Sequence, residues 1–255
     1  MKKKHLALAV FLGLGLAKLP LEQSATTTLR AANVLSLPTD LGLRENLGQM
    51  SFAATMGGLR SLVASVTYLQ AFAAFENVDW GKVDSLMTLT TRLQPRFDVY
   101  WDDAASRMGY DAASYYRYDE SRPTLYRNKL YREHVARGID ILNEGLRHLP
   151  ASSRLYQRLG EFYARRLEPP DHARAGESFL RCYQNGGLRV YERLAAYEWA
   201  RTDDRALQKR AYDILRSAYV RGIKLPSVIT TLKELEKALQ IPPWQHIPEA
   251  SAPMD

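Results

Sequence analysis

Three carboxylates open the chemical reading of this 255-residue chain. Asp98, Asp102 and Asp103 fall within one and a half turns of a single predicted helix. A pair of carboxylates can exchange protons as acid and base or bind a cation. An acid early in a helix also complements the positive end of the helix dipole, which needs no ligand. Cys182 is the sole cysteine, so no intramolecular disulfide can form. It falls at a small, buried helix position, where a cysteine acts as a modest hydrophobe rather than a nucleophile. The five histidines, His5, His134, His148, His172 and His246, show no metal-ligand spacing. The glycine-rich Gly13–Ala17 stretch follows no strand and cannot cradle phosphate. No cofactor is expected.

A second constellation is aromatic and basic. Between Tyr110 and His134 stand Tyr115, Tyr116, Arg117, Tyr118, Tyr126 and Arg127, with Tyr131 and further arginines. Tyrosine beside arginine supplies contact area together with hydrogen bonds, a favoured interface composition. The same residues suit stacking on sugar rings or on single-stranded nucleic acid. The structural alternative is that these tyrosines pack helices together.

Charge and targeting narrow the classes. The formal charge is +7, but the first 25 residues hold Lys2, Lys3, Lys4 and Lys18 against Glu22 alone. The remainder carries 31 basic and 27 acidic residues, too even a balance for a nucleic-acid clamp. Three lysines followed by the apolar run Leu6–Leu16 read as an export signal or a membrane anchor. That run is short against the roughly 20 residues of a spanning helix. Cleaved signal and retained anchor both remain open, and a buried N-terminal helix is a third reading. The first two place the following domain outside the cytoplasm, periplasmic or tethered to the inner membrane. Nucleic acid is then the poorest functional reading.

The elements come next. Residues 1–25 form the signal or anchor, 26–50 a linker, 51–240 a helical domain, and 241–255 a tail with four prolines, expected to be extended or disordered. Leu62, Val63, Val66, Leu69, Phe72 and Phe75 predict a buried helix over 59–76. Asp79 predicts an N-cap for a helix over 80–93, and Pro226 opens a last helix that caps the array.

Residues 156–163 carry the strongest pattern. Tyr156, Leu159, Gly160 and Tyr163 match the W-x2-L-G-x2-Y signature of a first repeat helix, with Tyr in place of Trp. Ala175, Phe179 and Cys182 then supply the small-large-small pattern of a second helix, repeated by Gly138, Leu142, Gly145 and by Ala211, Leu215, Ala218. The chain thus resembles exported, membrane-anchored bacterial tetratricopeptide-repeat proteins over roughly residues 57–240. The match is close only in the unit that contains Tyr156. Modules close near Pro95, Pro150, Gly187 and Gly222, with large residues 37 and 36 apart from Leu142 to Leu215. The preceding step, Met87 to Leu142, is 55 residues, so an extra piece is expected at Tyr110–Tyr126.

That resemblance implies an all-α fold: a short right-handed superhelix of antiparallel helix pairs after an N-terminal hydrophobic helix. It implies a groove lined by first helices, presenting Asp102, Arg154, Gln157, Glu161 and Arg165. Such mixed charge suits a peptide or a partner helix rather than a basic clamp for a terminal carboxylate. The implied function is a non-enzymatic protein-binding scaffold of the cell envelope. A glycan-binding envelope protein and a self-associating structural protein are the alternatives.

Overall fold

The computed structural model of the chain describes residues 58–248. The expected signal or anchor and the linker lie outside those residues. Among the described residues every regular element is helical. In chain order they are α1 (Arg60–Glu76), α2 (Trp80–Leu93), α3 (Asp98–Ser106), a π-helical turn (Arg107–Ala112), α4 (Ala113–Tyr118) and α5 (Thr124–His148). Then come α6 (Ser153–Arg165), α7 (His172–Gln184), α8 (Val190–Ala200), α9 (Arg205–Val220), α10 (Pro226–Ala238) and a 3-10 turn (Pro243–Gln245). No described helix is long and apolar enough to cross a membrane.

Local chemistry sets the helix starts. Asp79, Ser152, Asp171 and Asp204 each accept a backbone N–H of the first turn, from Lys82, Leu155, Arg174 and both Ala206 and Leu207. Each cap satisfies donors that the helix cannot satisfy itself. Pro226 stands in the first turn of α10, where its missing N–H costs nothing. After α7 the chain turns at Gly186 with φ +91°, and the Gly187 N–H donates to the Cys182 carbonyl. Only glycine takes that φ without strain.

α1 packs on α2, α2 on α3, α3 and α4 each on α5, and from α5 to α10 every helix packs on the next; α3 also meets α6, as α8 meets α10. The small-large-small residues all lie inside. Leu142, Phe179 and Leu215 are buried, as are Gly138, Gly145, Ala175, Cys182, Ala211 and Ala218. Gly160 explains its place in the signature. A methyl group added there would lie 2.7 Å from the Phe179 ring, so α6 and α7 approach closer than any side chain would allow. Trp101, six residues after Pro95, is buried and its indole N–H donates to the Pro95 carbonyl at 2.9 Å.

The core forms two clusters. One runs from Ala71 of α1 to Ala175 of α7, and the other gathers Phe179, α8, α9, α10 and Ile247. Ala164 packs against both.

Three expectations need correction. The extra length before Leu142 is not a separate piece. The chain runs helically from Asp98 through the π turn to Tyr118, turns over 119–123, and returns in the 25-residue α5. Both helices of this unit are lengthened, and a π turn absorbs a residue that would break the α register.

α1 is helical as predicted, but of the six residues that marked it only Val63 is buried and Phe75 partly buried. It turns Val63, Ala64, Thr67, Ala71 and Ala74 inward. Leu62, Val66, Leu69 and Phe72 stay exposed. Small residues let α2 approach closely, and the Thr67 and Thr90 hydroxyls meet at 2.8 Å between the helices.

The described part of the tail, residues 241–248, packs back on the domain. Ile247 is buried in the second cluster, and its N–H donates to the buried Glu236 carboxylate at 2.6 Å. The Lys233 ammonium donates to the Ile247 carbonyl. One apolar side chain and two charged anchors on α10 outweigh the entropy of a free end.

Candidate functional site

The α6 stripe Arg154, Gln157, Arg158, Glu161 repeats at three- and four-residue steps and so shares one helix face. Asp102 reaches it from α3. The carboxylate is 6% exposed. Arg158 donates to it from Nε at 2.6 Å, and Arg154 lies 3.5 Å away on the other oxygen. Arg158 also donates to Glu161 at 2.9 Å, and Gln157 to the second Glu161 oxygen at 3.0 Å. Burial by itself would lower the Arg158 pKa. The hydrogen bond and charge of Asp102 outweigh it and hold the guanidinium above its ordinary range.

These residues border a cleft of about 330 Å³, closed by Gly186, Gly187 and Leu188 after α7 and by Tyr191 of α8. Asp102 lines the cleft with both guanidiniums, while Asp98 and Glu161 meet them just outside it, through Arg154 and Arg158. Arg158 is committed to two acids. Arg154 is half exposed, and its ion-pair contacts to Asp98 and Asp102 are 3.8 and 3.5 Å. Its N–H groups can therefore turn to an incoming acceptor. Asp102, Arg154, Gln157 and Glu161 lie together, and Arg158 joins them unforeseen. Its signal was available: it stands four residues after Arg154 and three before Glu161.

Arg165 does not share this cleft. It lies at the far end of α6, bordering a larger cleft of about 590 Å³ between α6, α8 and α10. Eleven residues separate it from Arg154, about three turns of helix. Its side chain is exposed and has no ionic or hydrogen-bond partner among the described residues. Beside it Glu198 is buried, with His172 Nδ1 at 2.7 Å and the Arg201 guanidinium at 3.2 Å. Tyr197 and Ser227 share a hydroxyl hydrogen bond of 3.0 Å across α8 and α10. Apart from the end of α7, both clefts are lined by α3, α6, α8 and α10, every second helix from α6 on.

The three aspartates do not form a carboxylate pair. Asp98 accepts from the Ser152 hydroxyl at 3.0 Å, Asp102 from Arg158, and Asp103 from the Tyr68 hydroxyl. Asp98 and Asp102 are spent on α6 and its cap, and Asp103 on α1. No cluster of three or more His, Cys, Asp or Glu among the described residues could hold a metal ion.

The aromatic and basic segment divides. Tyr116 lies 4.8 Å from the His134 ring, and Tyr115 packs 5.8 Å from Trp80. Arg117 bonds Glu168 at 2.8 Å and stacks 4.5 Å over Tyr131. Arg127 donates to the Thr124 hydroxyl at 3.2 Å. Arg166 stacks on Tyr110 and Tyr131 and donates to the Gly109 carbonyl and the Ser114 hydroxyl. Burial raises the pKa of Tyr110, Tyr116 and Tyr131. These arginines are held by the fold, while Tyr118 is 78% exposed and Tyr115 and Tyr126 are partly so. Tyr118 is the ring most open to a ligand.

Cys182 is 1% exposed although its helix end borders the smaller cleft. Burial first, and the Glu161 charge second, push its thiol up to about 11. A thiol held protonated is a packing group and not a nucleophile. Comparison with protein-family models, with curated proteins and with solved structures returns no match to this chain.

Proposed function

We propose that this chain is a non-enzymatic adaptor, an array of helix pairs of tetratricopeptide-repeat type that holds a protein partner on one face. The superhelical arrangement belongs to the same proposal. What carries it is the face built by α3, α6, α8 and α10, where two clefts of mixed polar and apolar lining lie at opposite ends of α6. Side chains already fixed by internal hydrogen bonds lose little entropy when a partner docks, which favours binding. The mixed charge fits an extended peptide or a helix that offers both signs.

An export segment would set this domain in the cell envelope, tethered if the segment is retained. The glycan alternative drew on the tyrosine excess, and most of those tyrosines have packing roles. It keeps Tyr118 as its strongest support.

The test is crosslinking in intact cells with a C-terminal tag, comparing the native chain with Arg165→Glu and Arg154→Glu. Both side chains are exposed enough to change without unfolding the domain. One dominant protein adduct, lost or cut at least tenfold in these variants, is expected. Capture of the same protein at undiminished yield would refute the groove assignment.

A further inference from the structure

A cleft of about 370 Å³ opens between α5 and α7. Both helices pack on α6, whose Tyr156, Leu159 and Tyr163 line it. These signature residues follow one another at steps of three and four and share one face of α6. At 3.6 residues per turn that face lies opposite the stripe from Arg154 to Glu161. Leu159 and Tyr163 are buried and Tyr156 half-buried, which makes the floor largely apolar. The charged residues stand on the flanking helices. Arg147 comes from α5, and Arg174, Glu177 and Arg181 come from α7. Three guanidiniums thus surround the floor, with Glu177 as the one carboxylate in the lining.

The charges say what the cleft would take. Arg174 lies over the Tyr163 ring at 5.7 Å, and Arg181 over the Tyr156 ring at 5.9 Å. Arg181 donates from Nε to Glu177 at 2.9 Å, and Arg174 Nε lies 3.3 Å from Asp171. Arg147 is exposed and has no ionic or hydrogen-bond partner among the described residues. The rim therefore keeps a positive charge that these two acids do not balance. A matching occupant brings carboxylates to the rim and an apolar side chain to the floor. A wholly apolar occupant would cover Arg147 and leave its charge unpaired, which is costly. A basic segment would meet like charge. A nucleic-acid strand fits less well, because Arg174 and Arg181 already cover the rings on which bases would stack, and Glu177 would face the phosphates.

We propose that this cleft binds an acidic segment of a protein partner, seating one apolar side chain against Leu159 and the two tyrosines and pairing its carboxylates with Arg147, Arg174 and Arg181. The chain then has a second binding face. None of these residues borders either cleft of the groove, so the proposal stands whether or not the groove reading holds.

The test is fluorescence anisotropy on the purified full chain with three labelled peptides of equal length. The first carries glutamates on both sides of a central leucine. The second has lysines in place of the glutamates, and the third has glycine in place of the leucine. The first is expected to bind, the second not to bind, and the third to bind about tenfold more weakly than the first. Arg147→Ala and Arg181→Ala should each weaken the first peptide about tenfold, the worth of one charge-assisted hydrogen bond. Arg147 is exposed and unpaired, so the thermal midpoint of its variant should match that of the native chain. Arg154→Glu and Arg165→Glu should leave this affinity unchanged. No binding of the first peptide, equal binding of the lysine peptide, or an affinity that survives both alanine variants would overturn the proposal. A loss on Arg154→Glu or Arg165→Glu as large as that on Arg147→Ala would move the peptide to the groove and overturn it too. So would a dimer in light scattering that Arg147→Glu dissociates, since a second copy would then cover the cleft.

Discussion

Arg158 Nε stands 2.6 Å from the Asp102 carboxylate, joining α6 to α3 across 56 residues of sequence. The acid is almost wholly buried and the arginine three-quarters so. Removing one partner strands the other, which costs more than the pair contributes. Arg158→Met is expected to lower stability by about 2 kcal/mol, since Arg154 can partly replace it. Asp102→Asn should lose a similar amount, and the double variant less than the sum. Urea denaturation of the four proteins measures this, and strict additivity would show that the two residues do not interact.

Gly160→Ala tests the close approach of α6 and α7. The added methyl would meet the Phe179 ring at 2.7 Å, and the ring is buried with little room to retreat. A loss of about 2 kcal/mol is expected. It should read as a fall in thermal midpoint, although alanine is the better helix former. An unchanged or raised midpoint would mean that the interface is looser than described.

Val78 points the other way. It joins α1 to α2 with φ +58°, a left-handed conformation that a β-branched residue adopts only under strain. Val78 is 41% exposed, so little packing is lost on truncation. Val78→Gly is predicted to stabilise the domain by about 1 kcal/mol. A thermal midpoint below that of the native chain would contradict it.

Cys182 makes stability depend on alkaline pH. An ordinary thiol titrates at 9.0, and the folded chain holds this one up to about 11. Below pH 9 both states keep the proton, and the group contributes its full share to the fold. Between pH 9 and 11 the unfolded chain releases the proton while the folded one keeps it, so stability falls as pH rises. The loss is of order 2 kcal/mol by pH 11. Raised tyrosines such as Tyr110 and Tyr191 add to it in the same direction. Cys182→Ala should flatten the slope over this range. An equally steep slope in that variant would assign the effect to the tyrosines.

The candidate site was partly legible. Mapping a repeat pattern onto α6 named Arg154, Gln157 and Glu161 on one face, because 3.6-residue periodicity is a local property. It overlooked Arg158, whose importance comes from Asp102 on another helix. It also joined Arg165 to the others, although three turns of helix carry that side chain to a different cleft. The tyrosine-rich segment shows the same limit. Composition supplied an interface, and the fold spent Arg117 on Glu168 and Arg166 on Tyr110 and Tyr131.

The sequence by itself determined the all-helical class and the bounds of the helices over 59–76 and 80–93 and of the one opened by Pro226. Asp79, Pro226 and the glycines after α7 and α9 act within one turn, and the small-large-small triplets mark helix faces that must meet. Tertiary structure decided which face of α1 points inward, because both faces are apolar and only the fit of small residues against α2 separates them. It also decided that Glu236 holds Ile247, which turned an expected loose tail into part of the core. Caps and periodicity are settled by neighbours a few residues away. Pairing, burial and which charge meets which depend on how helices distant in sequence come to lie together.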